Sequence, residues 1–233
     1  MSGRLDFRAY VAEFIGTFAL IFVGVGAIAG TSIGKDQPGL VAIALAHGLT
    51  IAVMASATAA ISGGHLNPAV TAGVLAAGRI SPVNAAGYWV SQLLGAVAAA
   101  FLIQAVIPSA ALHAVNLGTP APAAGISGPS ALLMEAVLTF FLMFVIYGTA
   151  VDRRAPKMAG LFIGLTVTLD ILIGGPITGA AMNTARWFGP ALLTGGLGNF
   201  WIYTIGPVGG AVAAAVLWRY FLESRVEPGA TTV

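Results

Sequence analysis

Apolar segments of two distinct lengths constrain this chain more than any other feature. Six run for about 20 residues, the length a helix needs to cross roughly 30 Å of hydrocarbon. They cover residues 9–30, 40–60, 83–107, 130–151, 158–176 and 199–219. Two more, 66–78 and 183–195, reach only about half that length. Backbone at membrane depth must be helical, or else buried in protein or lining a cavity. Short apolar pieces opened by glycine-rich loops therefore read as re-entrant half-helices. Composition points the same way: the chain is 58% hydrophobic and 8% charged, whereas soluble domains carry about 25% charge. So few ionic groups cannot cover a water-soluble globule, and so apolar a chain cannot remain disordered. The expected fold is an all-α membrane protein with six transmembrane helices and two re-entrant half-helices.

Six spans return both termini to one side. With that side cytoplasmic, Arg4, Arg8, Arg79, Arg153, Arg154, Lys157, Arg219 and Arg225 lie inside, and only Lys35 and Arg186 outside. This asymmetry follows the positive-inside rule. The connection 108–129 is then external; it carries no charged residue and is expected to pack over the bundle. Residues Met1 to Tyr10 lack the pattern of a cleaved signal, so the first span is expected to be retained. On its compact termini the protein is expected in the plasma (inner) membrane. A net charge of +2 without any basic run gives no footprint for nucleic acid. The absence of cysteine excludes disulfides, thiol redox chemistry and thiolate-bound metal. No other ligand cluster has metal spacing, no catalytic constellation is present, and no cofactor is expected; the chain is not read as an enzyme.

The two halves repeat each other. Gly48-Leu49-Thr50-Ile51 recurs as Gly164-Leu165-Thr166-Val167, and Ile61-Ser62-Gly63 through Asn67 recurs as Ile177-Thr178-Gly179 through Asn183, both at an offset of 116. The run 95–100 recurs verbatim at 210–215, and Glu13 matches Glu135. Each copy holds three spans, an odd number, so the second enters the membrane from the opposite face. A single domain over residues 1–233 is expected, built from inverted repeats at approximately 1–107 and 130–233 joined by 108–129.

Inversion brings the two half-helices in from opposite sides with their N-termini facing at the midplane. Asn67 is a favoured N-cap and Pro68 a favoured first helical residue; Asn183 and Thr184 stand at the matching places, ahead of Ala69 and Ala185. Each helix start presents about half a positive charge, a field that opposes cations and hydrated protons. The asparagine amides offer N–H donors to a passing water oxygen, which interrupts proton hopping. Thr184 still permits a helix start but leaves one more N–H to satisfy. Arg186, in the first turn of the second half-helix, is opposed by that dipole and expensive in a membrane, so it needs a function or a loop carbonyl to bind. Glu13 and Glu135 are carboxylates at membrane depth, with loop bracing or proton relay as their alternatives. Asp170 has Met54 as its repeat mate and three readings: bracing of a loop through N–H or arginine contacts, pore lining, or a subunit contact. His65 stands between Gly64 and Leu66 in the loop before Asn67, and His113 is expected in the external loop.

The paired segments Ser62 to Val70 and Thr178 to Arg186, with their two Asn-x-Ala boxes, resemble the aquaporin (major intrinsic protein) family over nearly the whole chain, Thr184 replacing the second proline. The resemblance implies a passive channel for water and small uncharged solutes that excludes protons and ions. It implies a pore midplane at Asn67, Pro68, Ala69, Asn183, Thr184 and Ala185, a filter of His47, Ile171, Ala180 and Arg186, and loop bracing by Glu13 and Glu135. That filter looks like the plant vacuolar-membrane branch: wider and less polar than a strict water filter. A homotetramer is also implied. The alternatives are a facilitator chiefly for glycerol, urea or ammonia and, more remotely, an ion-coupled secondary transporter; Trp187, where glycerol channels of the family carry Asp, weakens a glycerol-specific reading.

Overall fold

The computed structural model describes residues 5–33, 39–152, 154–155 and 157–223. Arg4, Lys35, Arg153 and Arg225, used above for orientation, lie outside the described residues. The helices are α1 (Phe7–Gly30), α2 (Leu40–Ser62), α3 (Pro68–Ala76), α4 (Pro82–Val106), α5 (Ser109–Ala114), α6 (Gly128–Ile146), α7 (Ala159–Thr178), α8 (Thr184–Thr194) and α9 (Phe200–Leu217). A wide turn prolongs α6 to Val151 and α9 to Leu222. Six of these helices are long and apolar enough to span a membrane, while α3 and α8 are the two half-helices. Within the expected external connection, α5 is a short helix.

Local chemistry explains the helix starts. The Asp6 carboxylate caps α1 by accepting from the N–H groups of Arg8 and Ala9. Ser81 caps α4 and Ser127 caps α6, each with proline in the first turn. α2 and α7 both end on a left-handed glycine, Gly63 (φ 85°) and Gly179 (φ 82°), at repeat-related places where the chain turns back into the membrane.

Small residues set how closely the helices approach, as expected where packing rather than hydrophobicity drives association. α2 and α7 cross at Gly48 and Gly164, and a Cβ on either would collide with the other's carbonyl oxygen. Each half-helix packs along a long helix of the opposite copy, α3 on α9 and α8 on α4. The contacts are again repeat-related: a Cβ on Gly73 would meet Ala211 O at 3.0 Å, and one on Gly189 would meet Ala96 O at 2.6 Å. Outward rows such as Leu45, Leu49 and Val53 on α2 and Leu165, Leu169 and Ile173 on α7 remain exposed, as a lipid-facing surface requires.

Candidate pore

The loops that deliver the half-helices carry unusual backbone. Leu66 (φ 52°), Ala180 (φ 44°) and Met182 (φ 50°) lie in the left-handed region that side chains avoid, and Leu66 and Met182 are repeat mates. Such conformations cost about 1–3 kcal/mol each and persist only where the surroundings hold them. Here two carboxylates do so. Glu13 Oε1 accepts from Ser62 Oγ at 2.6 Å and His65 N–H at 2.9 Å, and its Oε2 from Leu66 N–H at 2.6 Å and Gln92 Nε2 at 2.7 Å. Glu135 repeats the pattern with Thr178 Oγ1 at 2.6 Å, Ala181 N–H at 2.9 Å and Met182 N–H at 2.7 Å. Both are fully buried. A carboxylate surrounded by donors offers no onward path for a proton, so the geometry favours bracing over relay.

The same left-handed residues turn their carbonyls toward the other half. Asn67 Nδ2 donates to Met182 O at 2.8 Å, and Asn183 Nδ2 donates to Leu66 O at 2.9 Å. Each amide oxygen is occupied at home: Asn67 Oδ1 accepts from Ala69 N–H, and Asn183 Oδ1 from Ala185 and Arg186 N–H. These bonds fix both amide orientations. An amide NH2 carries two donors, so each asparagine retains one N–H after the tie, fewer than the sequence suggested. Thr184 opens α8 where Pro68 opens α3, and its Oγ1 is buried without a partner.

Asn67 and Asn183 line a cavity of about 410 Å³, which runs from Arg79 and Ala159 to His47, Ile171, Ala180 and Arg186. A second cavity of about 290 Å³ begins at His47, Ile171 and Arg186 and continues past Gly118 and Thr119. The three shared side chains mark the neck between the two. Arg186 Nη1 donates to Gly118 O at 2.9 Å, so the 108–129 connection anchors the guanidinium. His47 Nδ1 bonds Ile43 O at 2.8 Å, while its Nε2 is buried without a partner. The imidazole thus lines the neck with its flank rather than with a free nitrogen.

Sequence reasoning missed several supporting groups. Tyr88 donates its hydroxyl to Ser62 O and Tyr203 to Thr178 O, both at 2.7 Å. The offset of 115 seen in the alanine run also relates these tyrosines, and would have paired them. Gln92 also donates to Thr71 Oγ1 at 3.0 Å, a tie without a counterpart in the second half, where Trp187 stands at the place of Thr71. His65 both lines the inner cavity and packs, bonding Thr71 through Nδ1 and meeting Tyr88 edge-on. His113 is exposed on α5.

Asp170 is buried in α7 and its Oδ2 has no partner. The loop N–H groups go to Glu135 and the Arg186 bond to Gly118, so the bracing expected of Asp170 falls to other residues. An unpartnered buried polar group is a cost rather than a contact. Asp170→Leu, which removes the polar group altogether, should therefore leave water flux unchanged and raise stability by about 1 kcal/mol, read as a higher thermal midpoint in detergent. A lower midpoint would mean that the carboxylate has a structural task.

Opposed half-helices, two cavities that meet at shared residues and a neck set by fixed side chains define a passive transmembrane channel. The sequence matches the model of the Major intrinsic protein family over residues 2–218. It is 43% identical over 235 residues to the "Probable aquaporin TIP3-2" of Arabidopsis thaliana, covering 95% of this chain and 86% of that protein. It is 45% identical over 225 residues to "Aquaporin TIP4-4" of Zea mays, covering 92% and 87%. The fold superposes on the aquaglyceroporin from Plasmodium falciparum with a TM-score of 0.83 at 24% identity, over 94% of this chain and 97% of that one. The chain belongs to the major intrinsic protein family. It is an integral membrane channel and not an enzyme.

Proposed function

We propose that the channel conducts water, passes small uncharged solutes such as ammonia, urea or glycerol alongside it, and excludes protons and other ions. The observation that carries this reading is the reciprocal tie between Asn67 and Asn183. With both amides fixed, one N–H from each is left for the cavity they line. A water whose oxygen accepts both points its own O–H bonds outward along the file. It then cannot accept a proton from either neighbour, and the wire is interrupted. The N-termini of α3 and α8 add a positive potential at the same place. At the neck, Arg186 adds a full positive charge and Ile171 an apolar wall, and Ala180 adds a second apolar wall on the side of the larger cavity, so that no stringent hydrogen bonding is demanded of a solute. Glu13 and Glu135 hold the loops that position both tips.

The finer parts of the reading are a homotetramer with one pore per subunit, seated in the plasma (inner) membrane with both termini cytoplasmic. Outward apolar rows on α2 and α7 supply surface for lipid and for neighbouring copies, and the basic residues at Arg8, Arg79, Arg154 and Arg219 support the orientation. Stopped-flow light scattering on proteoliposomes tests the function. Water permeability should rise well above that of empty liposomes, without proton or ion current and without dependence on an ion gradient. Water flux at the empty-liposome level would overturn the proposal, and gradient-dependent solute flux would favour a coupled transporter.

A further inference from the structure

We infer that Gly24 of α1 is the seat of the His47 ring and thereby sets the width of the neck. A Cβ on Gly24 would overlap the ring along one edge, with Nε2 nearest and then Cδ2 at 2.7 Å and Cε1 at 2.8 Å. The imidazole therefore occupies a notch in α1 that exists because residue 24 has no side chain. One hydrogen bond and the shape of the notch hold it there. Its Nδ1 is tied to Ile43 O one turn back on α2. Its Nε2 is enclosed without a partner, so what keeps that edge in the notch is shape and not a hydrogen bond. On its open side the ring lines both cavities.

A ring displaced from the notch meets those two cavities, and both belong to the pore. The second half shows the contrast: the repeat mates of Gly24 and His47 are Ile146 and Ile163, and both aliphatic chains line the larger cavity. There the first-helix position is filled and its partner carries no ring to be seated. Gly24 is accordingly a positioning residue for the neck, acting through His47. It sorts permeants by size, because neck diameter is what selects among neutral solutes.

This inference rests on the neck at His47, Ile171 and Arg186 being the solute filter of a water channel. Gly24→Ala, Gly24→Ala with His47→Ala, His47→Ala alone and Gly26→Ala are compared with the parent protein in proteoliposomes. Gly26 is the control because a Cβ there meets nothing within 4 Å. The readout is flux of the largest member of the series water, urea, glycerol that the parent passes. Gly24→Ala should lower that flux about fivefold or more, Gly26→Ala should leave it unchanged, and the double variant should return it to the level of His47→Ala. Unchanged flux in Gly24→Ala overturns the inference. So does a double variant that stays low, since a merely loosened α1 would not be relieved by removing the imidazole. A parent protein that conducts no water at all would instead sink the proposed function, a different and separately visible failure.

Discussion

Glu135→Leu is expected to remove water flux altogether and to lower the thermal midpoint far more than the loss of any single hydrogen bond to the same loop. Three donors converge on this carboxylate, Thr178 Oγ1, Ala181 N–H and Met182 N–H. All three bonds are buried in protein, where solvent does not replace the lost acceptor. Each orphaned donor costs about 1–3 kcal/mol. Their sum is comparable to the roughly 5–15 kcal/mol by which a typical domain is stable. The effect also reaches across the molecule. Without its N–H tie, Met182 loses the force that holds φ at 50°, and its carbonyl no longer meets Asn67 Nδ2. Tyr203→Phe removes one bond to the same loop, at Thr178 O, and should cost only about 1 kcal/mol. Size-exclusion thermostability in detergent, followed by stopped-flow assay of whatever reconstitutes, separates the two variants. A Glu135→Leu protein with parental midpoint and flux would show that the brace is dispensable.

The second large effect is expected at the neck. His47→Phe combined with Ile171→His should reduce urea and glycerol flux at least about tenfold relative to water, equivalent to about 1.4 kcal/mol of added barrier. Phenylalanine cannot bond Ile43 O, and its longer ring overfills the notch at Gly24, so it is driven toward the pore. Histidine at position 171 replaces an apolar wall with a ring that requires hydrogen bonds of any solute. Water supplies those bonds; the larger solutes meet a narrower, more polar gap beside Arg186. Parallel flux assays on one vesicle preparation give the ratio directly, and an unchanged ratio would remove His47 and Ile171 from the selectivity assignment.

Much of this architecture is legible in the residues. Apolar lengths separate six spans from two half-spans, and the offset of 116 pairs Asn67 with Asn183 and Ser62 with Thr178. An odd number of spans per copy forces the inversion. Asp170 shows where such reasoning stops: a carboxylate beside a neck residue invited a bracing role, yet its donors were already claimed by Glu135. Gly118 was likewise invisible, because its carbonyl reaches Arg186 from a segment 68 residues away, with no periodicity to point to it.

Sequence alone therefore determines the membrane setting, the inverted repeat and the asparagine-capped half-helices, since these follow from hydropathy, parity and local capping chemistry. Tertiary structure decides which donors remain for a permeant: Asn67 and Asn183 each yield one to the opposite copy. It also decides that His47 turns its nitrogen away from the pore into α1. Pattern and spacing place a side chain on a helix face. Its rotamer and partner depend on how closely the facing helix approaches, and that distance exists only once both copies are packed.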